Sequence, residues 1–244
     1  MCTFVIGQRV RVSWTDTILA RNLSIWLLPG ADSTEYQRLG EIINYLAEKN
    51  GNTPFPPHVT LSMLPADFPL EIVRDVVEEV KEEWFSRRIE FESLFTTAVG
   101  IVVHGQRGNQ AGASMDSGSG HDHIVASTIS LQQRFHDRLQ EEVQKRRLTG
   151  TLAADTPDVR NIVPWFPHLS LAYTERGQEE GVREIAEKGW FTQSKPGEAL
   201  GIELAGLKGY KIGAIYFAYC GGLKPEKWQI FERIEETQRQ TVAT

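Results

Sequence analysis

Two short segments of the chain nearly repeat one another: Phe55-Pro56-Pro57-His58-Val59-Thr60-Leu61-Ser62 and Trp165-Phe166-Pro167-His168-Leu169-Ser170-Leu171-Ala172. Each reads aromatic, proline, histidine, apolar, hydroxyl, apolar, and this order restricts the fold more than any other feature. Alternation of polar and apolar residues is the period of a half-buried strand, whose successive side chains leave opposite faces. His58 and Thr60 therefore share one face while Val59 and Leu61 share the other, and His168 and Ser170 stand likewise against Leu169 and Leu171. The proline before each histidine has no N–H to give to a ladder, which suits the first residue of a strand. The fold must thus supply two equivalent strands, each showing one imidazole and one hydroxyl on its polar side.

The rest of the chain alternates strand and helix signals. Leu23–Leu28 reads as a strand stopped by Pro29-Gly30. Asp32 and Glu35 read as a capping box for a helix carrying Tyr36, Leu39, Ile43 and Leu46 on one face and ending at Asn50-Gly51. A second helix is expected over Leu70–Phe85, with Val73, Val76, Val80 and Trp84 inward and Glu78, Glu79, Glu82 and Glu83 on a solvated face. Strands are expected at Ile89–Leu94, Ala98–Val103 and Ile124–Thr128. A loop over Gly105–Gly120 is marked by its Gly, Ser, Asn and Gln content. Leu131, Phe135, Leu139 and Val143 define a third helix, and His168–Tyr173 a further alternating strand. A short helix over Glu179–Lys188 follows, then strands at Gly201–Leu204, Ile212–Tyr219 and Trp228–Ile234. Several strands follow one another without a helix, so mixed α+β with antiparallel pairing is expected rather than a doubly wound parallel sheet.

Charge and composition narrow the partners. The 244 residues carry 26 Lys+Arg against 32 Asp+Glu, a net charge of −6. A grip on long nucleic acid draws on a basic excess, and the densest basic run is Lys145-Arg146-Arg147 at a helix end. Cys2 and Cys220 form no disulfide framework and no metal spacing. No apolar run approaches the roughly 18 residues of a membrane helix, and Met1–Ala20 lacks the apolar block of a secretory signal. A soluble cytoplasmic monomer without membrane or long nucleic-acid partners is the expectation. His121-Asp122-His123 reads as solvated rather than metal-binding, His104 as a strand end, and His136 as lying on the polar side of its helix. Phe55 and Trp165 suit either base stacking or core packing.

Two such strands facing one another are expected to form a cleft lined by two imidazoles and two hydroxyls, an acid/base site. A neutral imidazole takes a proton from water, an imidazolium gives one to a leaving oxygen, and a pKa of about 6.5 allows both forms near neutrality. The hydroxyls donate to phosphoryl oxygens. With Ser24-Ile25-Trp26-Leu27-Leu28-Pro29 as an opening strand, these motifs resemble the two-histidine phosphoesterase superfamily. Within it they are most similar to the 2′,3′-cyclic-nucleotide phosphodiesterases of the fungal and plant type, over about Leu23–Ile234. The resemblance implies a two-lobed fold with pseudo-twofold symmetry, each lobe an antiparallel sheet backed by helices, with the site in the central cleft. Residues 1–22 would be an extension and 23–244 a single bilobal domain. It implies hydrolysis of nucleoside 2′,3′-cyclic phosphates to 2′-phosphates and of ADP-ribose 1″,2″-cyclic phosphate to the 1″-phosphate, in the metabolism of tRNA-splicing by-products, with no metal and no cofactor. His58 and His168 would be general acid and base, Thr60 and Ser170 would hold the phosphate, and Tyr173 would lie near the substrate. The order of roles does not follow from the residues, although His168 is preferred as the water activator. Strict alternation turns Tyr173 away from the cleft, so its role needs a strand end or a bulge. Two alternatives stand beside it: a phosphodiesterase or ligase-like enzyme for RNA ends or 2′-5′ linked oligonucleotides, as in other branches of the superfamily, and a non-catalytic nucleotide-binding protein that kept the motifs.

Overall fold

The structure, a computed structural model, describes residues 21–97, 100–105, 128–153, 156, 159, 167–174, 178–193, 201–222 and 224–236. The expected extension as far as residue 20, most of the loop after Gly105, the expected strand at Ile124, His121, His123 and Trp165 lie outside these residues. The first half of the described chain runs β1 (Arg21–Leu28), α1 (Thr34–Asn50), β2 (Val59–Pro65), α2 (Leu70–Phe85) and β3 (Arg88–Thr97). The second begins with β4 (Gly100–Gly105), α3 (Thr128–Leu148), β5 (His168–Tyr173) and α4 (Gln178–Glu187). It ends with β6 (Phe191–Gln193), β7 (Ile202–Leu204), β8 (Gly209–Lys211), β9 (Ala214–Gly221) and β10 (Gln229–Glu235). Eight strands form one sheet in the order β10-β9-β1-β2-β5-β4-β3-β8, β6 and β7 form a separate ribbon, and the described pairings are antiparallel. The chain is thus mixed α+β, with a main antiparallel sheet and four described helices.

All four helices bury residues in one core with the inward faces of the strands. Leu39, Ile42, Ile43 and Leu46 of α1, Val73 and Val77 of α2, Leu131, Phe135 and Leu139 of α3, and Ile185 of α4 join Leu23, Ile25, Leu27, Val59, Leu61, Leu169 and Leu171. The cap of α1 falls one residue later than expected. Ser33, not Asp32, accepts from the Tyr36 amide at 3.1 Å, and Gly51 ends the helix in the left-handed conformation that glycine tolerates best (φ 64). Glu79 and Glu83 are not merely solvated. Arg134 pairs with Glu83, Arg138 with Glu79 and Arg146 with Asp75, a ladder that steps down α2 as it climbs α3 and fixes the two helices antiparallel. Such exposed pairs contribute little singly, so here they set orientation more than stability.

One short connection bends the sheet. β8 and β9 are separated in the sheet order by five strands, which a flat sheet would spread over about 29 Å at about 4.8 Å each. Only Ile212 and Gly213 join them in sequence, a reach of about 10 Å. The sheet must curl. Where the link crosses β1, the Gly213 amide donates to Leu28 O at 2.8 Å, and a Cβ on Gly213 would stand 2.5 Å from the Gly30 nitrogen. Tyr210, fully buried, sends its hydroxyl to Leu27 O at 2.8 Å, with the Val59 backbone also in hydrogen-bond reach. The far edge of the sheet is thereby pinned behind its centre, beside the first motif.

Candidate functional site

The two motif strands are immediate neighbours in one sheet rather than facing strands of two sheets. β2 and β5 pair antiparallel with Val59 opposite Leu169, and both of these side chains enter the helix-side core, 1% and 0% exposed. One step either way along that register sets Thr60 across from His168 and His58 across from Ser170, all four on the face away from the helices. Facing side chains on such a pair have Cβ atoms about 5 Å apart and diagonal ones, here His58 and His168, about 7 to 8 Å apart.

Each motif strand carries one extra residue at the same place. On β2, Trp26 pairs with Thr60 but Ile25 with Ser62, so Leu61 is the bulge. On β5, Val102 pairs with Ser170 but Ile101 with Ala172, so Leu171 is the bulge. A bulge resets the alternation beyond it. Ser62 and Ala172 consequently turn toward the helices, and Tyr173 turns back to the face of His168 and Ser170, where its hydroxyl is hydrogen-bonded to Ser170. The obstacle that strict alternation raised for Tyr173 is removed by this bulge. Asn52 holds the same residue from its other side, donating Nδ2 to Tyr173 O at 2.7 Å.

Aromatic rings close over His58. Trp26 stacks on its imidazole at 3.9 Å and 17°, while Phe55 and Trp228 approach edgewise at 5.9 and 6.2 Å. Tyr173 extends the cluster, 5.2 Å from both Phe55 and Trp228. The His58 ring is left 1% exposed, and burial, with a smaller push from the positive charge of His168, lowers its pKa from 6.5 to about 4. Its Nδ1 lies 2.7 Å from Pro56 O. A carbonyl only accepts, so Nδ1 carries the proton and Nε2 keeps a lone pair. Phe55 thus packs against His58 as well as in the core. Cys220 is on the same face, hydrogen-bonded to Ser24, and burial pushes its thiol up to about 11.

His136 is the residue that sequence reasoning misjudged. It lies behind β2, its Nε2 2.8 Å from Ser62 Oγ, and burial lowers its pKa. Gln132, one turn earlier, donates Nε2 to Leu61 O at 2.8 Å. Both stand one position after an apolar residue of the α3 stripe, Leu131 and Phe135, which was the available signal. Among the described residues no three His, Cys, Asp or Glu side chains are grouped so as to hold a metal ion, and no helix is long and apolar enough to cross a membrane. No model of a known protein family matches the chain, and neither does any curated protein.

Proposed function

We propose that the chain is a phosphodiesterase that opens nucleoside 2′,3′-cyclic phosphates to 2′-phosphates, and the analogous cyclic phosphate of ADP-ribose, with His58 and His168 as its acid/base pair. One observation carries the reading: the Val59–Leu169 pairing, along whose register two imidazoles and two hydroxyls fall on one face. Support for a pseudo-twofold, two-lobed design comes from the matched bulges and from the order strand, helix, motif strand, helix, which occurs as β1-α1-β2-α2 and again as β4-α3-β5-α4.

In this reading the roles fall opposite to the sequence preference for His168 as water activator. The His58 Nε2 lone pair takes a proton from water as the water oxygen bonds to phosphorus. The bond from phosphorus to O3′ breaks, and O3′ takes the proton of a His168 imidazolium. The product is a 2′-phosphomonoester with a free 3′ hydroxyl, and proton exchange with solvent resets both rings. Thr60 and Ser170 donate to the non-bridging oxygens, and the Tyr173 hydroxyl orients Ser170. The anionic substrate raises the proton affinity of His58 when it binds. Because the ring is 1% exposed, one of the aromatic rings packed on it must shift for substrate to enter.

Purified protein is expected to open 2′,3′-cyclic nucleotides in excess EDTA, and His58→Asn or His168→Ala to lower turnover by about 10² to 10⁴. Full activity in either variant refutes the reading. A strong preference for oligomers over mononucleotides moves the substrate to RNA ends, and tight 2′-nucleotide binding without turnover makes the chain a binding protein.

A further inference from the structure

We propose that Gln132 and His136 of α3 are positioning residues for this site, gripping the β2 bulge from behind and so fixing where His58 and Thr60 face. The inference rests on the phosphodiesterase reading for its kinetic consequences and on geometry for its substance.

A bulge frees backbone groups from the ladder and gives its strand a local choice of direction. At Leu61–Ser62 both polar groups that need a partner on the helix side find one on α3. Leu61 O accepts from Gln132 Nε2, and Ser62 Oγ, fully buried, meets His136 Nε2, each at 2.8 Å. Residues four apart share a helix face, so the two contacts act as one clamp. The helix that carries it is anchored by Leu131, Phe135, Leu139 and Val143, each at most 1% exposed, and by its ion pairs to α2. Immediately before the clamped residues, Thr60 faces the candidate phosphate site. Without the clamp, Leu61 and Ser62 are free to restore plain alternation, which rotates Thr60 and displaces His58 against Pro56 and Trp26.

The matching bulge on β5 is held by a different device, Asn52 on Tyr173 O and Tyr173 on Ser170. Loss of the α3 clamp therefore disturbs the His58 strand and leaves the His168 strand in place. A misplacement of about 1 Å costs up to about a hundredfold in rate.

The test compares His136→Leu, Gln132→Met and His136→Gln, the last able to keep a hydrogen bond to Ser62. Expected are kcat values about tenfold to a hundredfold lower in the first two, a smaller rise in KM for a 2′,3′-cyclic nucleotide as Thr60 turns, recovery of most of kcat in His136→Gln, and a displaced His58 ring resonance by NMR in His136→Leu and Gln132→Met. An unmoved His58 resonance in folded variants, or a lowered melting temperature with unchanged kcat, overturns the inference. Should His136→Leu fail to fold, Gln132→Met and His136→Gln decide by the same criteria. If the wild type opens no cyclic phosphate, the phosphodiesterase reading falls while the ring resonance still decides the clamp.

Discussion

Protonating His58 inside the folded protein sets up a measurable penalty. Its ring is 1% exposed beneath Trp26, and burial takes its pKa from 6.5 down to about 4. The unfolded chain binds that proton near pH 6.5 and the folded chain only near pH 4, so between these values the unfolded state holds more protons and stability rises with pH. As pH falls from 7 to 5 the loss from this one group is about 2 kcal/mol, and it levels off near 3 kcal/mol, roughly 1.4 kcal/mol for each tenfold drop in proton affinity, once the pH is well below 4. His136, also lowered by burial, acts in the same direction. A paired measurement isolates His58. In His58→Asn the amide keeps a donor for Pro56 O but does not titrate. Urea unfolding followed by circular dichroism at pH 7, 6 and 5 is expected to show the wild type losing about 2 kcal/mol more than the variant over that range. Two stability curves running parallel would falsify the buried, neutral imidazole on which the base assignment rests.

Tyr210→Phe removes the donor to buried Leu27 O, and equilibrium unfolding is expected to register a loss of about 1 to 3 kcal/mol; a neutral result means water reaches that carbonyl. Trp228→Ala strips one wall from His58 and is expected to make the imidazole react much faster with diethyl pyrocarbonate, followed residue by residue by mass spectrometry. An unchanged rate at His58 shows that access runs elsewhere. With its pKa pushed up to about 11, the Cys220 thiol is expected to react slowly with an aromatic disulfide at pH 8 in the native protein and quickly in urea. Equal native and denatured rates contradict its partial burial beside Ser24.

Much of the candidate site was legible because its residues obey local rules. The period-two pattern of His168–Tyr173 predicts that strand to the residue, and the apolar stripe of Leu70–Phe85 predicts its helix. What failed to show were effects that only pairing creates. Tyr173 points to the site because Leu171 is a bulge, and a bulge exists only against a partner strand. His136 looked solvent-facing because it borders the apolar stripe, and its partner Ser62 is turned toward it by the bulge at Leu61. β6 and β8, three residues each, are too short to carry a period, and β8 is defined by its contact with β3. Glu79 and Glu83 carried no sign of the arginines that α3 would bring to them.

The joint between β2 and β5 rests on main-chain atoms at Val59 and Leu169. Peptide groups are the same whatever side chain is attached, so the pairing of the two strands at this point does not itself depend on which side chains Val59 and Leu169 carry. What the arrangement of the four polar groups does not survive is an insertion or deletion between the joint and either histidine. One residue gained or lost there would send an imidazole to the helices, a fault that no change of side chain elsewhere repairs. Homologous chains that keep this arrangement should therefore hold the length from each histidine to its hydroxyl constant even where the composition of these strands drifts.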